Sequence, residues 1–101
     1  MIKSFVEDEK EIDKLLTDDE KLIAIKKLKA KKRRELGNFL GRKVKLYLFT
    51  RQYVEHTTRI KVEDFLTGYI SWVDDQVCSL SHSSYDDISA VGTFKIVSFE
   101  I

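Results

Sequence analysis

Proline is absent from the 101 residues, and cysteine, tryptophan and methionine occur once each. No proline-rich linker divides the chain, and no low-complexity tract or internal repeat is visible in it. The single Cys78 excludes an internal disulfide and a cysteine-cluster zinc site. Imidazole chemistry is confined to His56 and His82. There is no glycine-rich phosphate loop, no zinc-ligand spacing and no nucleophile–base–acid triad. Apolar runs extend over only a few residues, too short to span a membrane. The opening MIKSFVEDEKEID turns acidic at once and has no apolar signal-peptide core, so a cytoplasmic location is expected. These absences predict a non-enzymatic protein with no cofactor and no metal.

What is present describes a folded chain. Hydrophobic residues at 43% and charged residues at 35% place it among globular proteins, too apolar to be disordered throughout. At this length a single small domain with a modest core is expected. The net charge of +1 hides a segregation. Residues 1–20 hold three basic and eight acidic residues (−5), residues 21–51 twelve basic residues against Glu35 alone (+11), and residues 52–101 three basic and eight acidic (−5). A near-neutral total thus coexists with a positive patch, and patches steer partners.

Two capping boxes open the chain. Ser4-Phe5-Val6-Glu7 and Thr17-Asp18-Asp19-Glu20 each offer a hydroxyl to an amide three residues on, with a carboxylate to reach back. They predict helices at about 5–16 and 18–36, the second stopped at Gly37-Asn38. On the second helix, Leu22, Ile25, Leu28 and Leu36 fall near one face. Lys26, Lys27, Lys29, Lys31, Lys32, Arg33 and Arg34 crowd the rest, with few acids at helical spacing to offset their repulsion.

After Gly41 the period shortens to two. Val44, Leu46 and Leu48 alternate with Lys43, Lys45 and Tyr47, which predicts a strand with one buried face. The polar stretch TRQYVEHTT then reads as a turn, with further strands at about 58–73, 76–82 and 93–101. Gly68 inside a strand pattern predicts a bend or bulge, and Asp74-Asp75 a tight turn. The expected fold class is α+β. A helical extension at 1–38, acidic over 1–20 and basic over 21–36, precedes a small, strongly bent antiparallel β-barrel at 39–101.

GRKVKLYL, from Gly41, and LTGYISWVDDQV, from Leu66, carry a family resemblance. Leu66, Gly68, Ile70, Val73, Asp74 and Val77 resemble the first sequence motif of the Sm-like family, small barrels that commonly bind RNA as rings. YolD-like proteins or other SH3-like barrels resemble the tail YDDISAV about as well. The resemblance implies a barrel. The residues that complete the Sm-like base pocket differ here, with Cys78 where the family has asparagine, and Ser83-Ser84 followed by Tyr85-Asp86-Asp87 near its Arg-Gly. The connection between the first two strands is also longer than is typical of the family.

Clustered lysine and arginine are the usual footprint of phosphate contact. The candidate nucleic-acid-binding residues are Lys26, Lys27, Lys29, Lys31, Lys32, Arg33, Arg34, Arg42, Lys43 and Lys45, with Tyr47, Tyr53 or Tyr69 as stacking surfaces for bases. A solvated face that neutralises acidic segments is the competing account. Residues 7–20 have the charge to fold back over the basic block and control it. Tyr69 and Trp72 are candidate interface residues. On a strict period of two, Trp72 shares a face with Ile70, Gly68 and Leu66, and Tyr69 shares the other with Ser71 and Val73. The second face is then either an interface or covered by the N-terminal helices.

Cys78 and His82 would lie ~13 Å apart along a strand, too far for a nucleophile and its base. Asp74-Asp75 and Asp86-Asp87 fit turns more simply than a hard-cation site. The expected partner is RNA or DNA. A protein partner or a homo-oligomer joined at sheet edges is the reading from a different class.

Overall fold

A computed structural model describes residues 2–54, 57–82 and 88–101, with side chains described outside 50–63. Strand β1 (Ile2–Ser4) leads into helix α1 (Val6–Asp13) and then α2 (Asp18–Gly37). Strands β2 (Lys43–Val54), β3 (Thr57–Val73), β4 (Val77–Ser81), β5 (Ile88–Gly92) and β6 (Ile96–Glu100) follow, with a 3-10 turn at Thr93–Lys95 before the last. All strand pairs are antiparallel, in the order β1-β6-β2-β3-β4-β5. The α+β class is as expected from sequence. The sheet ends at β1 and β5 and is open rather than closed among the described residues.

Local chemistry explains the start of α2 but not that of α1. Thr17 Oγ1 accepts the Glu20 amide at 3.2 Å and caps α2, whose first turn holds Asp18, Asp19 and Glu20. The box expected at Ser4 does not form; Ser4 Oγ accepts instead from the Val6 amide, and Phe5 is the cap position of α1. The reason is tertiary. The Phe5 amide donates to Val97 O at 2.7 Å and its ring is fully buried, so strand pairing fixes the chain direction at that point. Residues 1–38 therefore supply an edge strand and core side chains to the same body as the sheet.

The stretch TRQYVEHTT is mostly strand, not turn. The β2–β3 ladder runs to Val54 opposite Thr57, through residues that favour extended backbone (Thr50, Tyr53, Val54, Thr57, Thr58). The expected strand at 93–101 divides into the 3-10 turn and β6. β1 and β5 have no counterpart in the sequence reading, being three and five residues long.

One face of the sheet is inner. Val44 and Leu46 of β2, Ile70 of β3, Cys78 and Leu80 of β4 and Ile96 and Phe99 of β6 pack under Phe5, Ile12, Leu28 and Leu36. Fully burying each such side chain stabilises by roughly 1.5–3 kcal/mol. The Phe99 ring sits 5.6 Å from Phe39 and 6.2 Å from Phe5. At Gly68 an added Cβ would lie 3.1 Å from both Leu80 Cβ and Ser81 O, a tight contact that β4 would have to yield to by a few tenths of an ångström. The irregularity falls just beyond, with a register shift between Ile70 and Trp72.

Candidate nucleic-acid interface

Helix α2 turns by about 100° per residue, and its apolar stripe is Ile25, Leu28 and Leu36 with Lys32 in its midst. Lys32 is 0% exposed. Its Nζ donates to Glu9 Oε1 at 2.7 Å and to Phe94 O at 2.9 Å. The rings of Phe94, Phe49 and Phe5 stand 4.6, 5.3 and 5.6 Å from it. Glu9 is likewise fully buried, between Phe5 and Ile12 on the inward side of α1. Lys32 thus leaves the candidate surface set, because helical spacing from Leu28 and Leu36 aims it inward.

Two of its neighbours are engaged at the surface. Lys31 Nζ donates to Asp8 Oδ1 and Oδ2 at 3.0 and 3.1 Å. Arg33 Nε lies 3.3 Å from Asp75 Oδ1, an ion-pair contact without hydrogen-bond geometry. The fold-back of the acidic segment onto α2 thus includes Asp8 and Glu9. Lys26, Lys27 and Arg34 point to solvent, while Lys29 is half-buried 6.0 Å from the Phe94 ring. None of these four has a carboxylate within ion-pair reach among the described residues.

Of the remaining three basic candidates, Arg42 immediately precedes β2 and Lys43 and Lys45 lie on it. Gly41, at φ +80°, turns the chain out of α2 in a conformation that favours glycine, and its amide donates to Ile70 O at 2.8 Å. Arg42 follows, exposed, its guanidinium 5.9 Å from the Phe39 ring. Lys43, Lys45 and Tyr47 then alternate with buried Val44 and Leu46, so they lie on the outer face. The helices cover the inner face, which puts Lys43 and Lys45 on the opposite side of the molecule from Lys26, Lys27 and Arg34. One continuous basic surface is not what the ten residues form.

The outer face is rich in rings. Across from β2, Lys43 pairs with Tyr69, Lys45 with Thr67 and Tyr47 with Phe65. Lys45 Nζ stands 4.2 Å from the Phe65 ring and 5.2 Å from Tyr47. Tyr47 Oη donates to Glu100 Oε2 at 3.0 Å. The register shift after Ile70 overturns the strict alternation expected for Trp72: it leaves the face of buried Ile70 and is 59% exposed, opposite Ser79. Trp72 Nε1 donates to Asp74 Oδ2 at 3.1 Å. Tyr69 is also open to solvent. The N-terminal helices do not cover this second face, because Phe5, Ile12, Leu28 and Leu36 spend their apolar surface on the inner one.

Asp74 forms the expected turn. Its Oδ1 accepts the amides of Gln76 and Val77 at 2.7 and 2.8 Å. The Val77 amide first, then the Gln76 amide and the Trp72 indole, hold its carboxyl below the usual aspartate range. Burial pushes the Cys78 thiol up to about 11, so it stays protonated at neutral pH. His82 Nε2 lies 2.8 Å from Ser89 Oγ. No three His, Cys, Asp or Glu side chains gather among the described residues. No helix there is long and apolar enough to cross a membrane. His56, Asp86-Asp87, Ser83-Ser84, Tyr85 and the Tyr53 side chain lie outside the described residues.

Sequence reasoning missed the buried pair and Phe65. The first was legible as a charge inside each apolar stripe, Glu9 between Phe5 and Ile12 and Lys32 between Leu28 and Leu36. The second was legible from the shared face of Phe65, Thr67 and Tyr69. Comparison of the chain with family models, curated proteins and solved structures finds no match.

Proposed function

We propose that the protein is a non-enzymatic binding module that contacts nucleic-acid phosphates through its unpaired cations. One observation carries this reading. The chain's acids take up Lys31, Lys32 and Arg33, yet Lys26, Lys27, Lys29, Arg34, Arg42, Lys43 and Lys45 have no carboxylate partner among the described residues. Self-neutralisation therefore accounts for part of the basic block and leaves the rest facing outward. Unpaired cations of this kind, on either the helical side or the sheet side, suit a polyanion and give salt-sensitive binding with little sequence selectivity. Register shifts in the β2–β3, β2–β6 and β3–β4 ladders support a barrel-like reading of the fold, because such irregularities bend strands.

The test is anisotropy of labelled single-stranded and duplex oligonucleotides over a salt series. Affinity is expected to fall linearly in log–log form, by about 0.7–0.9 per phosphate contacted. Replacing Lys26, Lys27 and Arg34 together by alanine is expected to weaken binding and flatten that slope. No binding of either nucleic acid at low salt would sink the reading.

A second reading, an assembly or protein-interaction module, is favoured by the outer edge of β5. Ile88–Gly92 pairs only with β4 among the described residues, and Ile88 is exposed. Light scattering that finds only monomer at high concentration removes the self-assembly version.

A further inference from the structure

We infer that the outer face of the sheet is a stacking platform for unpaired bases, so that the nucleic acid this protein takes is single-stranded. The inference rests on the phosphate-binding reading and adds to it the state of the strand and the residues that meet its bases.

The register builds the platform. Lys43 faces Tyr69 and Tyr47 faces Phe65, with Lys45 and Thr67 between the two pairs. Two lysines and three rings thus share one face of two strands. Phe65 and Tyr69 are four residues apart on β3, ~13 Å by the strand rise, room for a short run of extended nucleotides. Trp72 continues the row because the register shift turns it outward, and its indole N–H is already taken by Asp74 Oδ2. A shallow depression of 390 Å³ beside the row is lined by Lys43, Val44, Lys45, Thr67, Glu100 and Ile101.

Pairing rather than net charge argues the occupant. Among the described residues the carboxylates near the row are Asp64, Asp74 and Glu100. Each keeps its charge but is held in place by neutral donors, Asp64 by the Phe65 amide, Asp74 by two amides and the indole, and Glu100 by Tyr47 Oη, so none of them pairs with a cation of the row. Lys43 and Arg42 have no such partner among the described residues, and Lys45 rests only on rings. Exposed rings beside cations that lack a carboxylate partner match a ligand that offers both flat rings and phosphates, with Lys45 free to exchange its ring contacts for phosphate. A duplex keeps its bases stacked inward and offers this face phosphates alone.

The experiment uses the full chain with labelled 12-mer oligothymidine and oligouridine and a duplex of the same length, at low salt. Wild type is expected to bind a single strand at least tenfold more tightly than duplex, with quenching of Trp72 fluorescence. Phe65→Ala with Tyr69→Ala is expected to cost single-strand affinity between about fivefold and a hundredfold per ring, with duplex affinity unchanged. Phe65→Tyr with Tyr69→Phe retains the rings and is expected to restore binding, and unchanged thermal unfolding shows that the variants fold. Either oligonucleotide chemistry supports the platform when the single-strand preference holds. If single-strand binding survives the alanine pair but falls with Lys26→Ala, Lys27→Ala and Arg34→Ala, the platform is overturned and the phosphate-binding reading stands. Equal losses for duplex and single strand also overturn it. Failure of wild type to bind any oligonucleotide overturns both, as does a dimer that forms through these rings in its place.

Discussion

The inner and outer faces of one sheet both bring a lysine against aromatic rings, with opposite consequences. On the inner side, Lys32 stands among Phe5, Phe49 and Phe94, sealed from water and bonded to Glu9. On the outer side, Lys45 lies over Phe65 and Tyr47 at the edge of solvent, with no carboxylate within ion-pair reach among the described residues. The inner ammonium has lost its hydration, so its partners must be complete and any one removed leaves a buried charge. The outer ammonium keeps its water, so its ring contacts are weak and exchangeable. The same pair of chemical groups is a structural constraint in one place and a usable surface in the other. Exposure makes the difference.

The largest test breaks the inner pair. Lys32→Ala strands Glu9 and is expected to destabilise by roughly 3–5 kcal/mol in urea unfolding. Glu9→Gln with Lys32→Met, which removes both charges, is expected to recover most of that loss. A cost under about 1 kcal/mol for the single variant would mean that the pair is hydrated and the contrast between the faces is false.

Ring removal on each face comes next. Phe99→Ala opens a cavity beside Phe5 and Phe39 and is expected to cost about 3–5 kcal/mol. Tyr69→Ala on the outer face is expected to change stability by about 0.5 kcal/mol or less. Comparable losses in the two variants would show that the outer face is buried in solution.

Smaller effects separate local from long-range control. Thr17→Ala removes a cap that α2 depends on and is expected to cost about 1 kcal/mol. Asp74 supplies the acid-side test. Its folded pKa is depressed, so its contribution is complete above the unfolded value, about 3.9, and fades as pH falls through the folded one. Asp74→Asn is expected to flatten the loss of stability below about pH 4, read from unfolding midpoints across pH. An unchanged profile would mean that the turn carboxyl is bonded alike in both states.

Much of the scaffold was legible from periodicity and punctuation. The Thr17 cap, the stripe of α2 apart from Leu22, which is exposed, the alternation from Lys43 to Leu48 and the Asp74 turn depend on spacings of a few residues. Short chain distances leave short-range patterns. β1 was invisible because three residues carry no period, and it exists only because β6 offers an edge. Trp72 was misplaced because one irregularity reverses every following side chain, and composition does not announce where a ladder slips.

By itself the sequence determined the charge segregation, the α+β class and a set of ten candidate cations. Tertiary structure decided which cations remain unpaired. Lys31 and Lys32 meet acids 23 residues away, and Arg33 meets Asp75 from a different element. Such pairings depend on where helices cross and strands turn. No local spacing encodes that geometry, so only the folded chain divides the basic block into a paired part and a free one.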